Sequence, residues 1–193
     1  PIYLFTRDKE IDTVEELSGK RVATIDYDEP SIFLVNHVGA SMVPSNSANF
    51  SGKFNNGSVD VAYAPAVAYK PLELYKGLEA NGGILNFVLA YMDFQIVIRA
   101  DKFPEGFGQK SRSAVASYFD RVNEFVKKET NEIDPKYWID LPEDVQQQYG
   151  NILRDVRIKL RDKGVYDGKM LKLMRKLRCR TNPAAAECAE KLE

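Results

Sequence analysis

An α/β fold, with a parallel β-α-β-α-β core followed by C-terminal helices, is what this sequence predicts. Three observations lead there. Residues 20 to 66 read as strand, helix, strand, helix, strand. The apolar run "KRVATI" is β-branched enough for a strand buried on both faces. The last third of the chain carries apolar stripes at helical spacing.

Taken in order, "PIYLFTR" alternates weakly and reads as a strand. In "TVEELSG", Thr13 and Glu16 are spaced as a capping box and Gly19 is placed to end a one- or two-turn helix. After the strand "KRVATI", Pro30 opens a helix running to about Val38, because the first turn does not use the N–H that proline lacks. "SMVPS" is a short strand. "SNSANFSGKFNNG" is a short helix with Phe50 and Phe54 on one face and Gly57 at its end. "SVDVAYAPA" is the third core strand, stopped by Pro65. Compact units of this length join parallel strands by right-handed crossovers.

The stretch 83 to 100, "GILNFVLAYMDFQIVIRA", reads as a long apolar strand or strand pair broken near Tyr91, Met92 and Asp93. From Gln109 to Thr130 the chain turns helical, with Val115, Phe119, Val122 and Val126 three or four apart. A longer helix begins at Pro142, has Val145, Tyr149, Ile152, Val156 and Leu160 as its apolar stripe, and ends at Gly164. "KMLKLMRKLRC" is amphipathic, basic on one face and carrying Met170, Leu173, Met174 and Leu177 on the other. "NPAAAECAEKL" is a last short helix.

Composition excludes several function classes. With 44% apolar and 28% charged residues the chain of 193 is an ordinary globular sequence. Its 27 basic and 28 acidic residues nearly cancel, so no overall field recruits nucleic acid or an anionic membrane. No apolar run reaches the ~18 residues that a membrane span needs, so no direct membrane insertion is expected. No nucleophile–base set, phosphate loop or metal-ligand spacing appears, so neither an enzyme, a cofactor nor a metal is expected. Cys179 and Cys188, nine positions apart, are read as a local disulfide of an oxidising compartment, against the alternative of two buried thiols. The single histidine, His37, is read as structural.

In open α/β sheets ligands sit outside the carboxyl ends of parallel strands. That places "DYDEPS", "PSNSAN" and "YAPAVAY" on one edge. Asp26, Tyr27 and Glu29 are candidate ligand-binding residues there. Acids in a first helical turn also stabilise the helix by ~0.3–1 kcal/mol each, so Asp28 and Glu29 have that second reading. Ser45, Asn46 and Ser47 are candidates at the next helix start, where the same residue types also serve as caps. Tyr63, Tyr91 and Asp93 complete the candidate set; Tyr63 and Tyr91 belong with Tyr69 and Phe94 to an aromatic group near the strand ends, where Tyr offers a polar tip on an apolar body.

The segments "ELSGKRVAT", "VGASMVPSNSANFSGKFNNGSVDVAYAPA" and "YWIDLPEDVQQQYGNILRDV" resemble the second half of periplasmic solute-binding proteins of TRAP-transporter type. The matching residues are Glu16 to Lys20, Gly39–Ala40, Gly57 to Asp60, and Tyr137 to Gln146. The resemblance covers roughly residues 13 to 70 and 135 to 160, with 101 to 132 as an insertion. It implies a periplasmic-binding-protein type II-like lobe lacking the N-terminal part of the first lobe, which would precede Pro1. On that basis 13–85 form an α/β ligand-binding lobe, and 1–12 with 86–193 form hinge strands and the helical remainder of the other lobe.

The resemblance further implies a periplasmic receptor that closes on a small-molecule solute and passes it to a membrane permease. Many such proteins carry an arginine at the end of the "GKRVAT" strand to clamp a carboxylate. Here that position is Ala23 or Thr24, and Arg21 is out of register. A neutral or cationic solute is therefore expected. A subgroup similar in "ATIDYDEPS" is also filed as efflux components linked to aminoglycoside resistance, which gives the alternative of a periplasmic accessory to an efflux system.

Overall fold

The computed structural model describes residues 1–190 and 192–193. Its elements, in chain order, are β1 (Ile2–Thr6), β2 (Arg21–Ile25), α1 (Glu29–His37), β3 (Ser41–Ser45), α2 (Phe50–Asn55), β4 (Val61–Pro65), α3 (Tyr75–Leu78), β5 (Gly83–Leu85), α4 (Phe107–Ala116), α5 (Phe119–Asn131), β6 (Trp138–Ile139), α6 (Glu143–Asp162), α7 (Gly168–Thr181) and α8 (Ala186–Glu190). Two compact units share them. The first comprises Pro1–Lys9 and Ser51–Asp140, the second Glu10–Phe50 and Leu141–Glu193.

In the first unit the strands run in the order β4-β1-β5-β6. β1 is antiparallel to β4, with Leu4 opposite Tyr63, and antiparallel to β5, while β5 and β6 are parallel. Phe5, Phe54, Val61, Leu74, Leu78, Ile84 and Leu85 are almost wholly buried. Arg7 Nη1 donates to the carbonyls of Phe54 and Asn55 at 2.7 and 3.3 Å, satisfying the end of α2. Glycines 82 and 83 permit close packing: a Cβ on Gly82 would stand 2.6 Å from the Thr6 carbonyl oxygen, and one on Gly83 would stand 2.4 Å from Ile139 Cδ1.

In the second unit β2 and β3 are parallel, with Ile25 opposite Ser45, and α1 is the crossover between them. Asp28 caps α1, its carboxylate accepting from the Ser31 N–H at 3.4 Å and the Ser31 hydroxyl at 2.5 Å. Along α6, Val145, Tyr149, Val156 and Leu160 are buried as the stripe predicts. Burial, with the carboxylates of Asp12, Glu16 and Glu15 nearby, pushes the Tyr149 phenol far up. His37 Nε2 lies 3.3 Å from Asp155 Oδ2, and its ring stacks on Phe33. Cys179 and Cys188 form a disulfide, their Cα atoms 5.7 Å apart.

Several expectations change. The capping box forms, with Glu16 Oε2 accepting from the Thr13 N–H at 3.2 Å and Thr13 Oγ1 accepting from the Glu16 N–H at 3.3 Å. The residues after it make turns rather than a helix, because so short a stretch gains too few i→i−4 bonds to offset nucleation. The long strand expected over 83–100 is only β5. Single backbone bonds join Ile2 to Leu89 and Ala90, and 91–99 carry no strand. An apolar run becomes a strand only where another strand meets it. The helix expected over 109–130 is two helices, α4 and α5. Their apolar residues Val115, Phe119 and Val122, spaced three or four apart, are exposed. Helix α7 likewise buries Leu171 and Arg175, leaving Met170, Leu173, Met174 and Leu177 exposed.

Candidate functional site

The parallel pairing of β2 and β3 brings the two loops at their carboxyl ends side by side in the second unit. The Asp26 N–H donates to the Ser45 carbonyl at 3.0 Å, which extends the ladder one residue past β2. Asp26 and Tyr27 are exposed, Tyr27 at 75%. Asp28 is turned back into α1 as its cap and faces Tyr166, whose phenol is pushed up by burial and then by that carboxylate. Glu29 is exposed in the first turn of α1.

On the second loop, Asn46 Oδ1 accepts from the Ala48 N–H at 3.0 Å, and the Asn46 N–H donates to Asn49 Oδ1 at 2.9 Å. These two asparagines therefore hold the turn into α2, which begins at Phe50. Ser47 is exposed. Ser45 is 2% exposed, and its hydroxyl donates to the Val43 carbonyl at 3.0 Å. The end of β2 is closed as well: Ala23 and Thr24 are buried, with the Thr24 hydroxyl donating to the Val22 carbonyl at 3.0 Å.

The first unit holds the remaining candidates. Tyr63 is half-buried on β4. Tyr91 and Asp93 lie exposed on the segment that follows the sheet, with Phe94 beside them. Tyr91 bears on Tyr3, whose phenol is pushed up chiefly by burial and then by Tyr91. Tyr69 has a core role instead. It packs against Tyr75 and Tyr137, and burial, followed by the charges of Tyr137, Asp134 and Tyr75, pushes its phenol up to about 12.

Two concave features of the first unit were not legible in the sequence. One, of about 390 Å³, is lined by Tyr3, Asn86, Thr130, Ile133 and Trp138, with Tyr3 and Trp138 meeting edge to face at 5.1 Å. The other, of about 1110 Å³, is an apolar groove between residues 94–98 and α4, lined by Phe94, Ile96, Val97, Phe103, Phe107 and Val115. Residues far apart in the chain form the first, whereas the second is built within residues 94–116 by how that segment folds against α4, which spacing alone does not show. Among the described residues no cluster of His, Cys, Asp and Glu is arranged to hold a metal ion.

Among solved structures the fold is similar to that of a TRAP periplasmic solute-binding protein from Rhodoferax ferrireducens with bound malonate. The TM-score is 0.69 at 17% identity, over 94% of this chain and 60% of that one. It is also similar to the periplasmic ectoine-binding protein of the TeaABC TRAP transporter of Halomonas elongata, with TM-score 0.63 and 17% identity over 84% and 57% of the two chains. Among curated proteins the chain is similar to Probable solute-binding protein AdeT1 of Acinetobacter baumannii, 43% identical over 189 residues, covering 98% of this chain and 62% of that protein. Probable solute-binding protein AdeT2 of the same organism is 28% identical over 180 residues, covering 93% of this chain and 76% of that one. This chain thus spans about three-fifths of the length of AdeT1. The family model described as Solute-binding protein AdeT 1/2 matches residues 1–193, and the chain belongs to that family.

Proposed function

We propose that this chain is part of a periplasmic solute-binding receptor, one that binds rather than transforms a small solute and passes it to a membrane permease. Its membership of the AdeT 1/2 family and the TRAP-type fold support this reading. The edge formed by β2 and β3 within the second unit is the proposed solute site, with Asp26, Tyr27, Glu29, Asn46 and Ser47 as solute contacts and Ser45 supporting the turn. Tyr63, Tyr91 and Asp93 are the first unit's candidates.

The solute is neutral or cationic. One observation carries this: Asp26 and Tyr27 are exposed at the end of a strand whose last buried positions are the small residues Ala23 and Thr24. No guanidinium is supplied from those positions to meet a carboxylate, and an acid stands next to them. The similar structures carry malonate in one case and bind ectoine in another, so the fold does not choose the solute.

Thermal shift against a polyamine and a dicarboxylate tests the reading. Stabilisation by the polyamine, absent in Asp26→Asn, is expected. Stabilisation by the dicarboxylate alone would overturn it.

A second reading, an accessory component of an efflux system, is favoured by a different observation. Tyr91, Phe94, Ile96, Val97, Phe119, Val122 and Phe125 of the first unit are each more than half exposed. Exposed apolar side chains in this number suit a protein partner. Protein that binds no solute in the thermal shift but co-purifies with a membrane efflux component would favour this second reading.

A further inference from the structure

Helix α7 presents a face that solute binding does not use. Its inner side carries Leu171 and Arg175, each 8% exposed. Arg175 and Arg178 both reach α8: Arg175 Nη1 donates to the Glu187 carbonyl, and Arg178 forms ion pairs with Glu187 and Glu193. These groups and the Cys179–Cys188 disulfide hold α7 and α8 together as one rigid pair.

The outer side is different. Met170, Leu173, Met174 and Leu177 are 55, 50, 45 and 45% exposed. At i, i+3, i+4 and i+7 they form one continuous apolar stripe, about 10 Å long at the helical rise. Lys169, Lys172, Lys176 and Arg180 are all exposed, and the helical period puts them in a row along one flank of that stripe. The helix holds no acidic residue.

The chemistry of this face selects its partner. Protein interfaces favour aromatics, Met and Arg and are depleted in lysine; this stripe has two methionines but no aromatic, and three of its four flanking cations are lysines. Leucine and methionine beside a lysine row suit the boundary between lipid headgroups and acyl chains. There the long stems lie along the apolar layer and the ammonium groups meet phosphates. No helix among the described residues is long and apolar enough to cross a membrane, so the contact is one of a helix lying in the surface plane.

We propose that the outer face of α7 is a peripheral docking surface for a bilayer containing anionic phospholipid. The stripe enters the headgroup boundary, and Lys169, Lys172, Lys176 and Arg180 pair with the lipid phosphates. This holds whatever the solute is.

Flotation of the chain with vesicles of phosphatidylglycerol and phosphatidylcholine, against phosphatidylcholine alone, tests it. Binding to the mixed vesicles that weakens with salt is expected. Lys172→Gln and Lys176→Gln should each weaken partitioning roughly fivefold. The pair Leu173→Gln with Leu177→Gln should weaken it about tenfold or more. Met170→Gln with Met174→Gln provides a second apolar variant, and the thermal midpoint is followed in each to exclude unfolding.

Equal binding to neutral vesicles, or none to the mixed ones, overturns the proposal. So does partitioning untouched by both apolar variants, which would reduce the contact to charge alone. Binding of soluble polyglutamate as tightly as the vesicles would assign the face to an acidic protein and overturn the lipid partner.

Discussion

Arg178 and Glu187 stand one residue before Cys179 and Cys188, and they meet through two parallel hydrogen bonds. Arg178 Nε donates to Glu187 Oε1 at 2.9 Å, and Nη2 donates to Oε2 at 2.8 Å. Such a fork fixes orientation as well as distance, because both groups are planar. It therefore aligns α7 and α8 beside the bond that joins them. Glu187→Gln should shift the glutathione ratio that half-reduces the disulfide roughly fivefold toward the thiols. Redox titration with thiol trapping measures this, and an unchanged midpoint would mean that the pair does not position the cysteines.

The same ion pair sets an acid dependence. The Arg178 guanidinium, bonded to it, holds the Glu187 carboxyl below its usual range. A carboxyl depressed in the folded state stabilises fully above its ordinary pKa, and that contribution is lost as pH falls through the folded one. The thermal midpoint of the native chain should fall on acidification, with a shallower slope in Glu187→Gln. Parallel slopes would place the acid sensitivity elsewhere.

At high pH Tyr69 acts in the opposite direction. Its phenol is raised to about 12, so its contribution is present below the ordinary tyrosine pKa and is lost as pH rises through about 12. Tyr69→Phe should therefore unfold less readily than the native chain in that alkaline range. Denaturant melts at stepped pH report the difference.

Gly82→Ala should destabilise the first unit by about 1–3 kcal/mol, since the added carbon would press on the backbone of Thr6 and Leu78, which cannot swing aside. Gly52→Ala, with nothing within 4 Å, is the control and should not destabilise. Urea unfolding of the two variants separates steric clash from a general effect of losing glycine.

Asp28 and Asp26, two residues apart, should separate cleanly. Asp28→Ala removes the α1 cap and should cost about 1 kcal/mol. Asp26→Asn, on an exposed side chain, should stay within about 0.5 kcal/mol yet abolish stabilisation by a polyamine. Paired melts with and without polyamine test both, and a large stability loss in Asp26→Asn would make it a structural residue.

Much of the local structure was legible because it rests on neighbours in sequence. The cap at Asp28, the capping box of Thr13 and Glu16, and the turn asparagine at Asn46 all satisfy backbone groups within four residues. Strand positions 2–6, 21–25, 41–45 and 61–65 followed from β-branched or alternating runs between turn residues. Where the reading failed, the missing information was contact. Residues 91–98 are as apolar as the strands, and α5 has a regular stripe, but apolar spacing says only which face could be covered. The 1110 Å³ groove and the exposed face of α7 have the same origin.

What the sequence by itself determined is the order of strands and helices from 20 to 66, the long helix α6, the family resemblance, the close spacing of the two cysteines and the edge of β2 and β3 as a candidate site. Each depends on periodicity or on groups close along the chain, and short-range physics decides those. Tertiary structure alone decided that Ser45 turns inward, that Tyr69 is core, that Arg175 is buried among the residues of α7 and that Leu173 and Leu177 face outward. A side chain's exposure is set by what packs on it from elsewhere in the chain, and no local pattern encodes that neighbour.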